Sequence, residues 1–126
     1  KISIGANDTA KDVHLKAAKA AAELLAAELP KLAKAKTKVK GKKQNEKEAT
    51  YFGKRKPADG AIDWTRSAAD VRNLVRGVTR PYPGAFSFLG DKKYLIWDVS
   101  EVKLPAKSAK AKPGTILSTE PLTIAW

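Results

Sequence analysis

The sequence predicts an α+β chain in which a helix and a basic linker lead to a second helix and a partial antiparallel β-barrel, truncated before it closes. Three observations predict it. Residues Ala10 to Leu29 are mostly strong helix formers. The stretch from Lys31 to Lys56 is dense in lysine and poor in apolar side chains. After Gly84 the apolar residues change from a helical period to the alternation of strands.

Taken in order, Lys1–Gly5 reads as the end of a strand or an extended entry. Asn7-Asp8-Thr9 offers helix N-caps, and Thr9 with Asp12 has the spacing of a capping box. In the helix that follows, Val13, Ala17, Ala21, Leu24 and Leu25 fall on one stripe, with Lys11, Lys16, Lys19 and Glu23 largely off it. A wide stripe rich in Ala wants a close partner surface, and the remaining chain has little to offer it. Pro30 marks the helix end or a kink, although the Ala and Lys beyond it tolerate helix as far as Lys36.

From Lys31 to Lys56 eleven cations face only Glu46 and Glu48, and self-repulsion makes this a linker rather than a packed element. Pro57-Ala58-Asp59-Gly60 is a turn signal, followed by a short extended piece from Ala61 to Trp64. Ser67 and Asp70 repeat the capping spacing. Val71, Leu74, Val75 and Val78 then stand at i, i+3, i+4 and i+7, which predicts an amphipathic helix with Arg72, Arg76 and Arg80 on its polar side. Pro81-Tyr82-Pro83-Gly84 stops it.

Ala85–Leu89 is the first strand, and Gly90-Asp91 reads as a tight hairpin turn. Tyr94–Val102 is a longer strand, Pro105–Pro113 a Lys/Ala loop, and Thr115–Thr119 and Leu122–Trp126 two more short strands. Four strands fit a small barrel of the OB type, which needs five, so a closing strand is expected elsewhere.

The formal net charge is +12, which favours anionic partners. Cys is absent, which rules out disulfides and thiolate chemistry and fits a reducing compartment. No apolar run approaches the ~18 residues of a spanning helix. No membrane insertion is expected, and cytoplasm is the expected compartment.

His14 is the single histidine and has no nucleophile or orienting group at useful spacing, so it reads as a partly exposed helix residue. The aspartates are scattered in turn and cap positions, without metal-ligand spacing. No catalytic, cofactor-binding or metal residue is therefore assigned. The residues singled out as anion or RNA contacts are Lys40, Lys42, Lys43, Lys54, Arg55, Lys56, Arg76 and Arg80. Tyr51 and Phe52 beside them offer rings for base stacking, and Lys103, Lys107, Lys110 and Lys112 form a second basic patch. Trp64, Trp97 and Trp126 read as core or interface residues.

Several stretches in order carry a resemblance. They are Ile2-Ser3-Ile4-Gly5 with Asn7-Asp8-Thr9-Ala10 and Leu15-Lys16-Ala17-Ala18; Gln44-Asn45-Glu46 leading to Ala49-Thr50-Tyr51-Phe52-Gly53-Lys54-Arg55-Lys56-Pro57; Ile62-Asp63-Trp64 with Ser67-Ala68; Thr79-Arg80-Pro81-Tyr82-Pro83-Gly84-Ala85-Phe86; and Pro113-Gly114-Thr115-Ile116-Leu117. The order resembles the C-terminal half of folate-dependent formyltransferases. That family includes methionyl-tRNA formyltransferases and the formyltransferase part of the bifunctional polymyxin-resistance enzyme of lipid A modification, which acts on UDP-4-amino-4-deoxy-L-arabinose. Tyr51–Arg55 and Pro81–Phe86 look closer to the sugar-nucleotide branch.

The resemblance implies a one-carbon transferase. An upstream Rossmann-like catalytic domain would bind the formyl donor, N10-formyltetrahydrofolate, and hold an Asn, a His and an Asp. The acceptor would be a UDP-amino sugar or, in the other branch, initiator tRNA, and a homo-oligomer is a further expectation. None of the catalytic positions maps onto this chain, which is expected to be inactive alone. The implied division is 1–30 as the terminal strand end and helix of the catalytic domain, 31–59 as the basic linker and 60–126 as an incomplete OB-like C-terminal domain.

Overall fold

The computed structural model describes residues 1–36, 40–103 and 110–126. Lys38 of the linker lies outside them, as does most of the expected Pro105–Pro113 loop with Lys107. The elements in chain order are α1 (Ala10–Lys34), short 3-10 turns at Glu46–Glu48 and Pro57–Gly60, α2 (Ala68–Val78), and strands β1 (Ala85–Leu89), β2 (Lys92–Ile96), β3 (Ile116–Thr119) and β4 (Leu122–Ile124). The architecture is α+β, as the sequence predicts. Among the described residues the strands form two two-stranded antiparallel sheets and no closed barrel, as a truncated partial barrel would.

α1 begins where its cap predicts. The Thr9 hydroxyl accepts from the Asp12 backbone N–H at 3.3 Å, and the Asp12 carboxylate accepts from the Thr9 backbone N–H at 2.8 Å. The Thr9 hydroxyl also donates to the Asp12 carboxylate at 2.6 Å, and this bond first, with the one from the Thr9 backbone N–H second, holds the Asp12 carboxyl below its ordinary pKa, against partial desolvation and the Asp8 charge. A carboxyl lowered on folding contributes stability above its unfolded pKa and loses it as pH falls through the lowered value. Acid titration of the helical circular dichroism is therefore expected to show loss of α1 beginning below the usual aspartate range. Asp12→Asn should flatten that transition; an unchanged curve would place it elsewhere.

One expectation is corrected and two open readings are settled. Lys1–Gly5 forms no strand and enters without regular structure, leading into a Gly5–Asp8 turn in which the Asp8 carboxylate accepts from the Gly5 N–H at 2.6 Å. α1 does not stop at Pro30 but runs to Lys34, and Ala35 closes it by donating to the Leu32 carbonyl at 3.2 Å. Proline removes one helical hydrogen bond, and the helix formers on either side carry the helix past that loss. β2 spans Lys92–Ile96 rather than Tyr94–Val102. Its partner β1 is five residues long, so the ladder ends at the pair Ala85↔Ile96. Beyond that point the Trp97 carbonyl accepts from the Thr79 hydroxyl at 2.9 Å, which draws the chain onto the end of α2.

The core lies under α2. Val71, Val75 and Val78 are buried on one face, against Ala85 of β1. Ile62, Trp64, Leu74, Ile96 and Val99 pack around them. The piece after the second 3-10 turn joins the other edge of β1, with a single parallel bridge Ala61↔Phe86 and an Ile62 N–H to Phe86 carbonyl bond of 2.8 Å. Trp64 links the two sheets. Its indole N–H donates to the Ser87 hydroxyl at 2.9 Å, while its ring lies 3.3 Å from where a Cβ on Gly114 would stand, just before β3.

α1 contributes no buried residue. Leu15, Leu24, Leu25, Leu29 and Leu32 are each half exposed or more. The wide stripe read from the sequence is thus bare in this structure.

Candidate functional site

The basic side chains singled out from the sequence separate into groups once folded. Lys40, Lys42 and Lys43 are exposed in the extended linker. Lys42 and Lys43 line an open, solvent-filled depression with Gln44, Asn45, Glu46, Glu48, Ala49 and Tyr51. The neighbouring rings of Tyr51 and Phe52 are 84% and 92% exposed, with no core to receive them here.

Arg76 faces inward toward the start of α1. Its Nη1 donates to the Asp8 carbonyl at 2.7 Å, and its Nε donates to the Asn73 side-chain oxygen at 2.9 Å. Arg72, one turn earlier, donates to the Asn7 side-chain oxygen. The pair fastens the Gly5–Asp8 turn to α2, and Lys16 braces the turn from the other side through the Asp8 carboxylate. That ammonium is the main reason the Asp8 carboxyl sits below its ordinary pKa.

Charge counting puts Arg72 on the polar face of α2 but cannot supply its partner, because Asn7 is 65 residues away. Arg76→Ala is expected to weaken this junction by about 1.5–3 kcal/mol, the range of a hydrogen bond from a charged donor. Hydrogen exchange at Asp12 and Val13 should then accelerate about tenfold or more. Unchanged protection would mean that the turn is held by other contacts.

Arg80 is exposed, and its guanidinium carbon lies 4.8 Å from the centroid of the Trp97 ring, a cation–π contact. Lys54, Arg55 and Lys56 reach the end of α2, where Arg55 Nη1 donates to the Gly77 carbonyl at 3.4 Å. The fold brings these three cations together with Tyr82, whose ring was not singled out from the sequence. Its place between two prolines in the stop signal was the legible hint.

A second concavity of about 310 Å³ lies between α2, the segment after β2 and β4. Trp64, Val71, Arg72, Ile96, Leu122 and Trp126 are among its walls.

Chemistry within the described residues is limited. His14 is exposed on α1. Among the described residues no group of three or more His, Asp or Glu side chains is placed to hold a metal. Among the described residues no helix is long and apolar enough to cross a membrane. Among them, too, no buried side-chain polar atom lacks a hydrogen-bond partner.

What the residues do build is a half-open α+β module with a basic rim and a bare helix. The family model described as formyl transferase, C-terminal domain, matches residues 54–125, which is the second 3-10 turn, α2 and all four strands. That span is more than half of the chain. It covers the Ile62-Asp63-Trp64 and Pro81–Phe86 stretches on which the resemblance rested, and on it the chain belongs to the family of formyl transferase C-terminal domains.

Proposed function

We propose that this chain is the C-terminal portion of an enzyme that moves a formyl group from N10-formyltetrahydrofolate to the amine of a UDP-amino sugar. The observation that carries the reading is the family match over residues 54–125. The 25-residue α1, with its apolar stripe exposed, supports it. A helix of this amphipathic kind gains most of its stability by packing, and an upstream catalytic domain supplies such a surface. In this reading residues 1–30 complete that domain, 31–59 form the linker and 60–126 form the OB-like appendage, in the cytoplasm. The formyl donor and the catalytic Asn, His and Asp belong to the upstream domain. The sugar-nucleotide branch is favoured by Tyr51-Phe52-Gly53-Lys54-Arg55 and Pro81-Tyr82-Pro83-Gly84-Ala85-Phe86.

The test uses the intact protein that carries this chain, with N10-formyltetrahydrofolate as donor. Formylation of UDP-4-amino-4-deoxy-L-arabinose in preference to methionyl-tRNA is expected, and the 126-residue chain alone should transfer nothing. Turnover by the chain alone would refute the division of labour.

One observation favours a second reading, in which the module grips initiator tRNA. Tyr51 and Phe52 stand exposed among lysines, as base-stacking rings do on single-stranded sites. Such binding should weaken steeply with salt, in proportion to the phosphates contacted. A preference for methionyl-tRNA as acceptor would select this reading over the first.

A further inference from the structure

Lys54, Arg55 and Lys56 meet over one concavity. A cavity of about 480 Å³ lies where the end of the linker crosses the end of α2. Ala10, the first residue of α1, forms one wall, and Gly60, Gly77, Val78 and the Tyr82–Gly84 turn form the rest. No acidic side chain lines it. Among the described residues none of the three cations forms an ion pair. Asp59, the next carboxylate in the chain, accepts from the Lys56 backbone N–H at 2.7 Å.

Three adjacent cations repel one another, and at a concave surface with low-dielectric walls their field is focused rather than dissipated. The Arg55 guanidinium lies against the end of α2, 3.5 Å from where a Cβ on Gly77 would stand. Arg55 uses one of its five N–H donors on the Gly77 carbonyl, at a long 3.4 Å. That contact also suits the negative end of α2 and fixes the guanidinium at the mouth of the cavity.

We infer that this cavity is a binding site for a diphosphate group, with Tyr82 as the surface for the ring that the group carries. The guanidinium offers a fork to two phosphate oxygens, and the two ammonium groups add point charges. The volume falls in the range of small-molecule sites. The assignment does not depend on which acceptor the enzyme formylates, so an acceptor assay can fail while this site stands, and the reverse.

The test is a titration of the 126-residue chain at low salt, followed by amide chemical shifts, with pyrophosphate, ADP and UDP as probes. Shifts are expected at Lys54–Lys56, Gly77 and Gly84. The nucleotides should bind about fivefold or more tighter than pyrophosphate, because a ring adds stacking area. Arg55→Ala should weaken all three about tenfold or more, the scale of a lost charge-assisted pair. Tyr82→Ala should bring the nucleotides down to the affinity of pyrophosphate and leave pyrophosphate unchanged. Lys47→Ala, an exposed cation on the same basic linker but outside the cavity, should change nothing.

Equal losses from the Lys47 variant, shifts that bypass Gly77 and Gly84, or no binding at millimolar concentrations would overturn the site. So would binding of an RNA oligomer with none of the diphosphates. Equal affinity for pyrophosphate and the nucleotides would overturn the role of Tyr82. These exposed substitutions lie outside the core, and the dispersion of the unliganded spectrum checks that each variant is folded.

Discussion

Gly84→Ala is expected to destabilise the module by about 3 kcal/mol, as two separate costs that fall on one residue. Gly84 has φ +87°, where an L side chain costs about 1–2 kcal/mol. A Cβ there would also stand 2.9 Å from the Trp97 ring, inside the distance real contacts allow. The ring cannot simply swing away. The Trp97 carbonyl is held by the Thr79 hydroxyl at 2.9 Å, and Arg80 lies over the indole. On the other side the Gly84 carbonyl packs against Gly60, 2.6 Å from where a Cβ would stand, so any side chain at Gly60 would clash with it.

Gly90→Ala provides the control. Its φ is +58°, and no atom lies within 4 Å of its Cβ position, so only the conformational cost of about 1 kcal/mol remains. Urea unfolding of the two variants should therefore separate them by about 2 kcal/mol at unchanged slope. Equal losses would mean that Trp97 does not rest on Gly84.

The parts legible in the sequence are those with a local cause. The cap and the i, i+3, i+4, i+7 spacing place α2 within a residue of where it stands, because both signals act within two turns. Ala85–Leu89 and the Gly90-Asp91 turn are local in the same sense. What the sequence did not reveal was set at a distance. The length of β2 depends on where β1 ends and on Thr79 capturing the Trp97 carbonyl. The separation into two sheets, joined through Trp64, depends on Ser87 and Gly114.

The candidate site divides along the same line. Lysine and arginine positions are visible as charge, but charge alone gives Arg76, Arg80 and Arg55 equal weight. Packing distinguishes them. Arg76 is committed to the Asp8 carbonyl, Arg80 rests on an indole, and Arg55 is poised at a cavity mouth. The partners that decide this lie between 17 and 68 residues away, or in a turn whose shape the sequence does not specify.

Val75→Asp is the second large effect, and it follows from how little core there is. Val75 is 1% exposed, and the rest of the buried apolar set is Val71, Val78, Ala85, Phe86 and Ala125. A module with so few buried side chains has a small margin, of the order of a few kcal/mol. A carboxylate at this position would be surrounded by Val71, Val78, Ala85 and their partly buried apolar neighbours, with no buried polar residue among the described residues to pair with it. Burying an unpaired charge costs about 4 kcal/mol or more, unless the group takes up a proton.

The variant is therefore expected to be unfolded across residues 60–126 at neutral pH, with α2 lost from the helical signal. Protonation gives the test its sign. The introduced carboxyl would be neutral in the fold and charged in the unfolded chain, so its folded pKa is raised. Folding is then penalised above the unfolded pKa, and part of the loss should be recovered as pH falls toward 4. Val75→Asn removes the titration but keeps the polarity, so its deficit should not respond to pH in this window. Recovery in both variants would trace the effect to other groups, and a fully folded Val75→Asp at neutral pH would show that this face of α2 is not the core.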